Sequence, residues 1–295
     1  MRAKRRRRHE RFYDLLFRAA QKARTRIFRG PPGDHDLRGQ LKDNNGSGKT
    51  TTFKTIVDVV RSGGKIEIFG KDARRLTEDE RSQIAISYTD IFFNGEYTVP
   101  AIRRVLRSAY KNFNEAEYDR MMKRFDIPQR GKIRNLSTGE LAKLRFISAM
   151  THDAKFVILD EPTSGLDVVA RDGILDEIRS YMENHEDAAI LVSSNITQDL
   201  EGLADDVYMI DEGRIVLHEN TDTITDDFGL VKCTEEQFEK LDKEYVRGSK
   251  KAPYGRDVLV SQKRYYLENY PALAVEDGKL DHCLIVLAGK EEEKT

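Results

Sequence analysis

No stretch of this 295-residue chain approaches the roughly 18 consecutive apolar residues that a membrane-crossing helix needs. The best candidate, Cys283 to Ala288, is far shorter. Cysteine is scarce: Cys233 and Cys283 are the only two, without metal-ligand spacing and without a nearby histidine pair. That excludes a disulfide framework or a cysteine zinc site, and leaves buried, reduced thiols in a reducing compartment. The first residues are basic, but no apolar stretch follows them. A secretory leader is therefore not expected, and cytoplasm is the default. Net charge is also nearly absent, at −1, but that balance is uneven. Residues 1–42 carry 14 Lys and Arg against 4 Asp and Glu, while the remainder carries 36 against 47.

What is present centres on Phe156-Val157-Ile158-Leu159-Asp160-Glu161-Pro162, continuing into Thr163-Ser164-Gly165-Leu166-Asp167. Four consecutive apolar residues read as a strand buried on both faces, and the run ends in two carboxylates. Open parallel sheets bind ligands beyond the carboxyl ends of their strands, so Asp160 and Glu161 emerge where a ligand can sit. Upstream, Asn45-Gly46-Ser47-Gly48-Lys49-Thr50-Thr51 supplies a complementary half. Backbone N–H groups of such a turn, opening a helix, wrap a triphosphate; Lys49 reaches the outer phosphates, and the Thr50 hydroxyl ligates Mg²⁺. Asp160 then holds the same ion and Glu161 orients a water.

Along the chain, residues 1–42 form a basic segment in which Leu15, Leu16, Ala19, Ala20 and Ala23 give the stripe of one helix. A solvated arm is the simplest expectation, with a contact to nucleic acid or anionic lipid as the functional alternative. Residues 36–42 make a poor anchoring strand for the loop. Asp43 stands where an eight-residue phosphate loop begins with Gly; a carboxylate about 6 Å from a phosphate charge at a dielectric near 20 costs roughly 3 kcal/mol. Spacing then predicts a helix over 51–60, strands over 65–69 and 84–88, and helices over 101–113 and 115–125. The first of these last two carries Ile102, Val105, Leu106 and Ala109 on one face, and the second Tyr118, Met121, Met122 and Phe125. Next come the turn Leu136-Ser137-Thr138-Gly139-Glu140, where Ser137 or Thr138 can act as a helix N-cap, and its helix. Beyond the acidic pair the pattern predicts a helix over 168–182, a strand over 188–192, a helix over 198–204 and a hairpin at Asp211-Glu212-Gly213. Downstream it predicts helices over 235–241 and 262–269 and strands over 257–261 and 283–287.

From Asn45 to about Val216 this order resembles the nucleotide-binding subunit of an ATP-binding-cassette transporter. Asn45 to Thr51 resemble its Walker A loop, Leu136 to Glu140 its signature turn, Phe156 to Glu161 its Walker B strand, and Ser164 to Asp167 its D-loop. The resemblance implies an α/β fold: a P-loop NTPase (RecA-like) core with a helical subdomain at about 97–145. Residues 43–219 would form the ATPase domain, 1–42 an atypical basic segment, and 220–295 a small C-terminal α/β appendage, similar to those of bacterial exporter-type cassettes. It implies ATP and Mg²⁺ as cofactors. Asn45, Gly46, Ser47, Gly48, Lys49, Thr50 and Thr51 would contact ATP, and Thr50, Asp160 and Asp90 the metal. Ser137, Gly139, Glu140 and Asp167 would serve the ATP shared with a second cassette, either an identical or a paralogous copy. Glu161 would be catalytic, with Asn195 at the place of the family's γ-phosphate histidine.

An integral-membrane permease on another chain is the implied partner, which would hold the subunit at the inner face of the cell membrane. Nucleic acid is not an expected partner, because cassettes of that kind usually carry two units per chain and this chain has one. A degenerate or regulatory cassette uncoupled from transport is the alternative. Asn195 cannot carry a proton in the physiological range, so hydrolysis is expected to slow while binding survives. The family's glutamine after the strand over 84–88 falls at Thr89 or Asp90. The family's adenine-stacking aromatic has no clear counterpart among Phe12, Tyr13 and Phe17. The charge jump, Asp43 and the poor strand together suggest that residues 1 to about 42 are not ordinary family sequence, as a disrupted reading frame would produce.

Overall fold

A computed structural model describes residues 14–20, 49–57, 66–89, 93–211 and 214–287. The first half runs β1 (Asp14–Ala20), α1 (Lys49–Ile56), β2 (Glu67–Ile68), β3 (Lys71–Asp72), α2 (Glu78–Arg81), β4 (Ile84–Ser87), α3 (Val99–Ala109), α4 (Glu115–Arg124) and α5 (Thr138–Met150). It continues through β5 (Phe156–Asp160), α6 (Val168–Asn184), β6 (Ala189–Ser194), β7 (Asp206–Asp211) and β8 (Arg214–Asn220).

Six strands pair in the order β4-β5-β6-β1-β7-β8. The first three are parallel, β1 is antiparallel to both its neighbours, and β7 and β8 form a hairpin. Alternation along the strands splits the core into two faces. Phe156, Ile158, Ala189 and Leu191 point to one cluster, together with Phe53 and Ile56 of α1. Val157, Leu159, Ile190 and Val192 point to the other, together with Leu144 and Ile147 of α5 and Ile174 and Ile178 of α6. Every residue of β5 and β6 is buried, as a sheet covered on both faces demands.

The helices α3 and α4 pack on the second face. Val99, Ile102 and Leu106 are buried on α3, and Tyr118, Met121 and Met122 on α4. Val105, expected on the packed stripe, is 44% exposed instead. Two arginines of α4 tie this pair to α6. Arg120 donates to both oxygens of Glu177 at 2.9 and 2.6 Å, and Arg124 donates to Oε1 as well. Glu177 is only 3% exposed, so the arginines supply the partners its carboxylate would otherwise lack.

The chain then builds a second sheet through α7 (Thr221–Asp227), β9 (Gly229–Cys233), α8 (Glu235–Lys240), β10 (Val246–Ala252), β11 (Gly255–Val260), α9 (Lys263–Asn269), β12 (Ala274–Asp277) and α10 (Leu280–Leu287). Its order is β10-β11-β9-β12, antiparallel throughout. Val231, Val258, Val260 and Tyr266 make a core of their own, while Leu280, Cys283, Val286 and Leu287 of α10 join the second-face cluster of the main sheet. Where the appendage folds back, Gly278 approaches so closely that a Cβ would stand 2.3 Å from the Ile224 carbonyl oxygen. Thr197, just past β6, donates its hydroxyl to the Asp281 carboxylate of α10. Cys233 and Cys283 are free and buried.

Several expectations need correction. The apolar residues at 15–20 lie in strand β1, whose backbone bonds span β6 and β7, and not in a helix. The strand expected over 283–287 is the end of helix α10. The helix expected over 198–204 is a 3-10 turn, Thr197–Asp199, broken beyond by Gly202 at φ 80°. The strand expected over 65–69 reduces to the two residues of β2.

Candidate nucleotide and metal site

At the C-terminal end of β5, Asp160 is 3% exposed and ringed by hydroxyls. Thr50, in the first turn of α1, donates to Oδ2 at 2.8 Å, and Ser193 of β6 donates to Oδ1 at 2.7 Å. Thr89 reaches Oδ2 at 3.4 Å. Both helix α1 and strand β6 thus converge on one carboxylate because the parallel register sets Asp160 beside Ser193.

The next residue leaves the strand sharply. Glu161 has φ 47°, a left-handed conformation that costs a non-glycine residue of order 1 kcal/mol or more and persists only where surroundings enforce it. The enforcement is visible: its N–H is placed 3.0 Å from Ser193 Oγ and 3.1 Å from the Ser193 carbonyl oxygen, and its own carbonyl accepts from Ser164 N–H at 3.1 Å across the Pro162-Thr163 turn. Asn195 Nδ2 donates to Glu161 Oε1 at 2.8 Å. Tyr88 lies close by with an enclosed hydroxyl that meets no hydrogen-bond partner. Burial first, and the Asp160 charge second, push its phenol above the ordinary range.

Thr50, Asp160, Glu161 and Asn195 therefore gather as the sequence suggests, and Thr89 joins them. Asn45, Gly46, Ser47, Gly48, Asp43 and Asp90 lie outside the described residues, as do Phe12 and Tyr13, and so do the side chains of Phe17, Lys49 and Thr51. Lys49 begins α1, so its backbone stands at the helix N-terminus. Ser193 is the residue that sequence reasoning missed. Two hydroxyl residues closing an otherwise apolar strand were the available signal.

The signature turn occupies a different place. Ser137 caps α5 with a reciprocal box: its Oγ accepts from Glu140 N–H at 3.2 Å, and Glu140 Oε2 accepts from the Ser137 N–H at 2.7 Å. That N–H is the main reason the Glu140 carboxyl is held below its usual range. A Cβ on Gly139 would find only ordinary contacts, Leu166 Cδ2 at 3.7 Å and the Gly165 oxygen at 3.9 Å. Packing within this chain therefore does not require glycine there. Asp167 caps α6, accepting from Ala170 N–H at 2.8 Å. Among the described residues no hydrogen bond links Ser137, Gly139, Glu140 or Asp167 to the Thr50–Asp160 group.

The oxygen donors suit Mg²⁺. Asp160 supplies a buried carboxylate and Thr50 a hydroxyl, while no group of three or more His, Cys, Asp or Glu side chains fit for a metal occurs among the described residues. A hard divalent ion held by one carboxylate completes its shell with water and substrate phosphate.

The profile of the family described as ABC transporter matches residues 40–164. The ABC transporter ATP-binding protein YtrB of Bacillus subtilis is 26% identical over 189 residues, covering 64% of this chain and 64% of that protein. The xylose import ATP-binding protein XylG of Geobacillus kaustophilus is 29% identical over 68% of this chain and 42% of its own length. The daunorubicin resistance ATP-binding protein DrrA3 of Streptomyces coeruleorubidus is 26% identical over 63% of this chain and 60% of its own. The chain thus spans less than two thirds of each. A solved ATP-binding subunit of an ABC transporter superposes with a TM-score of 0.55 at 25% identity, over 76% of this chain and 93% of that one. The dimeric cassette MJ0796 with ADP and Pi shares the fold, with a TM-score of 0.52 at 15% identity over 70% of this chain and 98% of its own. Residues 40–164 thus match the ABC transporter family, and the chain is similar to the ATP-binding subunits of that family in sequence and in fold.

Proposed function

We propose that this chain binds Mg-ATP and hydrolyses it, with each nucleotide held between the Lys49 turn of one copy and the Ser137 turn of a second cassette, and that the cycle drives a separately encoded permease. The observation that carries the reading is the junction of Thr50, Asp160, Glu161 and Asn195 at one strand end. Thr50 and Asp160 would hold the magnesium ion, which supplies charge neutralisation at the phosphates. Lys49 adds positive charge there, and the backbone N–H groups at the start of α1 add more. Glu161 accepts a hydrogen bond from the attacking water and aligns it, while Asn195 fixes the plane of that carboxylate. Ser137 and the N–H of Gly139, at the N-terminus of α5, present donors to a partner's γ-phosphate. No contact within this chain calls for glycine at 139, which supports close approach of an external ligand there. No helix among the described residues is long and apolar enough to cross a membrane, in keeping with a permease on another chain.

The test is Glu161→Gln. Turnover of Mg-ATP should fall by about a hundredfold or more while nucleotide binding stays, and ATP should accumulate dimers visible by light scattering. Unchanged hydrolysis would remove Glu161 from this role. A second reading, a binding cassette with little turnover, is favoured by Asn195 itself, since its amide donates a hydrogen bond but transfers no proton.

A further inference from the structure

Behind the Asp160–Glu161 pair lies another enclosed carboxylate, that of Asp199, 1% exposed. Its Oδ2 accepts from Thr163 Oγ1 at 2.5 Å and stands 3.4 Å from Ser194 Oγ, while Oδ1 accepts from Arg171 Nε. Thr163 and Ser194 are each only 3% exposed, so neither hydroxyl has water as an alternative partner. The three partners come from three segments. Thr163 sits between Glu161 and Asp167, Arg171 lies on the helix that Asp167 caps, and Ser194 immediately precedes Asn195.

Such a side chain is out of place as mere packing. A carboxylate carries several acceptor sites and cannot be buried without filling them, so it holds its donors where they are. Here the donors are the flanks of the two groups that must meet at 2.8 Å, Asn195 Nδ2 and Glu161 Oε1. Glu161 is in a strained left-handed turn, and Thr163 is the first hydroxyl beyond it. The Asn195 loop doubles back on the same centre, with Ile196 N–H donating to Ser194 Oγ at 2.9 Å.

We propose that Asp199 is a positioning residue for the hydrolysis reaction: it fixes Glu161 and Asn195 relative to one another and ties both to the Asp167 turn. It acts through Thr163, Ser194 and Arg171, the groups it meets. The inference rests on the ATPase reading, and its test separates the two.

Thr163→Val removes one donor without changing shape, and Thr163→Ser keeps it. Asp199→Asn removes the charge. In the full chain, Thr163→Val and Asp199→Asn should lower kcat by about tenfold with KM and nucleotide affinity within about twofold of the starting protein, because misplacement of reacting groups costs rate and not binding. Thr163→Ser should stay near the starting rate. Thr163→Val combined with Asn195→Ala should lose less than the product of the separate losses, since both act on one contact. Hydrogen exchange without nucleotide supplies the independent arm: Asp199→Asn should loosen residues 162–167 and 194–196 together. If the unaltered chain turns over ATP and both variants keep its kcat, or if the losses multiply, the positioning role is overturned while the ATPase reading stands. If the unaltered chain does not turn over, the ATPase reading fails and exchange decides. Joint loosening of both segments upholds Asp199 as the group that sets Glu161 against Asn195, whatever chemistry they serve; loosening confined to residues 197–200 overturns it.

Discussion

At position 195 an amide faces Glu161 where the resemblance places a titratable imidazole. The amide holds the carboxylate at 2.8 Å, yet it has no titration between pH 5 and 8. Asn195→His should therefore raise kcat, by about tenfold, and add to the pH-rate profile a limb near 6.5 that the unaltered chain lacks. Superimposable profiles for the two proteins would show that position 195 takes no part in proton movement. The residues that sequence alone revealed here share a property: Thr50, Asp160 and Glu161 sit in motifs whose chemistry is local to a few neighbours. Ser193 and Asp199 do not. Ser193 matters because parallel register sets it beside Asp160, and Asp199 because a turn brings it under Thr163. No spacing in the chain announces either meeting.

At the scale of elements, the bridge from α4 to α6 is the place where electrostatics holds packing together. Glu177 has no neutral alternative to its two arginines, whose side chains remain 46% and 37% exposed. Water screens that outer half, so the loss on removing the charge is smaller than for a fully enclosed pair. Glu177→Gln should cost about 2 kcal/mol, read as a lower urea midpoint at an unchanged denaturant slope. An equal midpoint would mean that the apolar stripes of α3 and α4 suffice.

The elements also differ in how openly the sequence displays them. β5 was plain because four apolar residues in succession, closed by carboxylates, fit a strand covered on both faces. The run Cys283 to Leu287 looks similar, yet Leu280, Cys283, Val286 and Leu287 are buried at helical spacing while Ile285 is 49% exposed. A short apolar run fits either period, and starting from Leu280 gives the right one. β10 stayed hidden for the opposite reason. Its residues, Val246 to Ala252, include Lys250 and Lys251 and lie at a sheet edge, where charge guards unpaired backbone groups and obscures the strand pattern. β1 reads as a helical stripe in isolation; pairing on both sides with β6 and β7 overrides that preference.

For the whole molecule, acid stability depends on a histidine away from the site. His152, 2% exposed between α5 and β5, stacks on Tyr110 with ring centroids 3.8 Å apart. Neither ring nitrogen meets a partner in hydrogen-bond geometry, although the backbone at Ile84 and Ser148 and the Asp153 charge lie near enough to favour the charged form somewhat. Burial prevails and pushes the imidazole down to about 4 from 6.5. The unfolded chain thus takes up this proton first. The stabilisation is complete above pH 6.5 and is lost as pH falls towards 4, with about 2 kcal/mol gone between pH 7 and 5. His152→Phe keeps the ring stack and should flatten stability across that window in chemical denaturation at each pH. A slope as steep as that of the unaltered chain would place the acid sensitivity elsewhere.

The Thr197 to Asp281 bond gives the appendage a bearing on chemistry that its distance in sequence conceals. Thr197 stands two residues beyond Asn195 and two before Asp199, so α10 grips the middle of the loop whose Asn195 amide holds the Glu161 carboxylate. Exchanging this tail for that of another cassette is consequently not a neutral graft: unless the donor brings an acceptor for Thr197, the hybrid should inherit a slower engine along with its new tail.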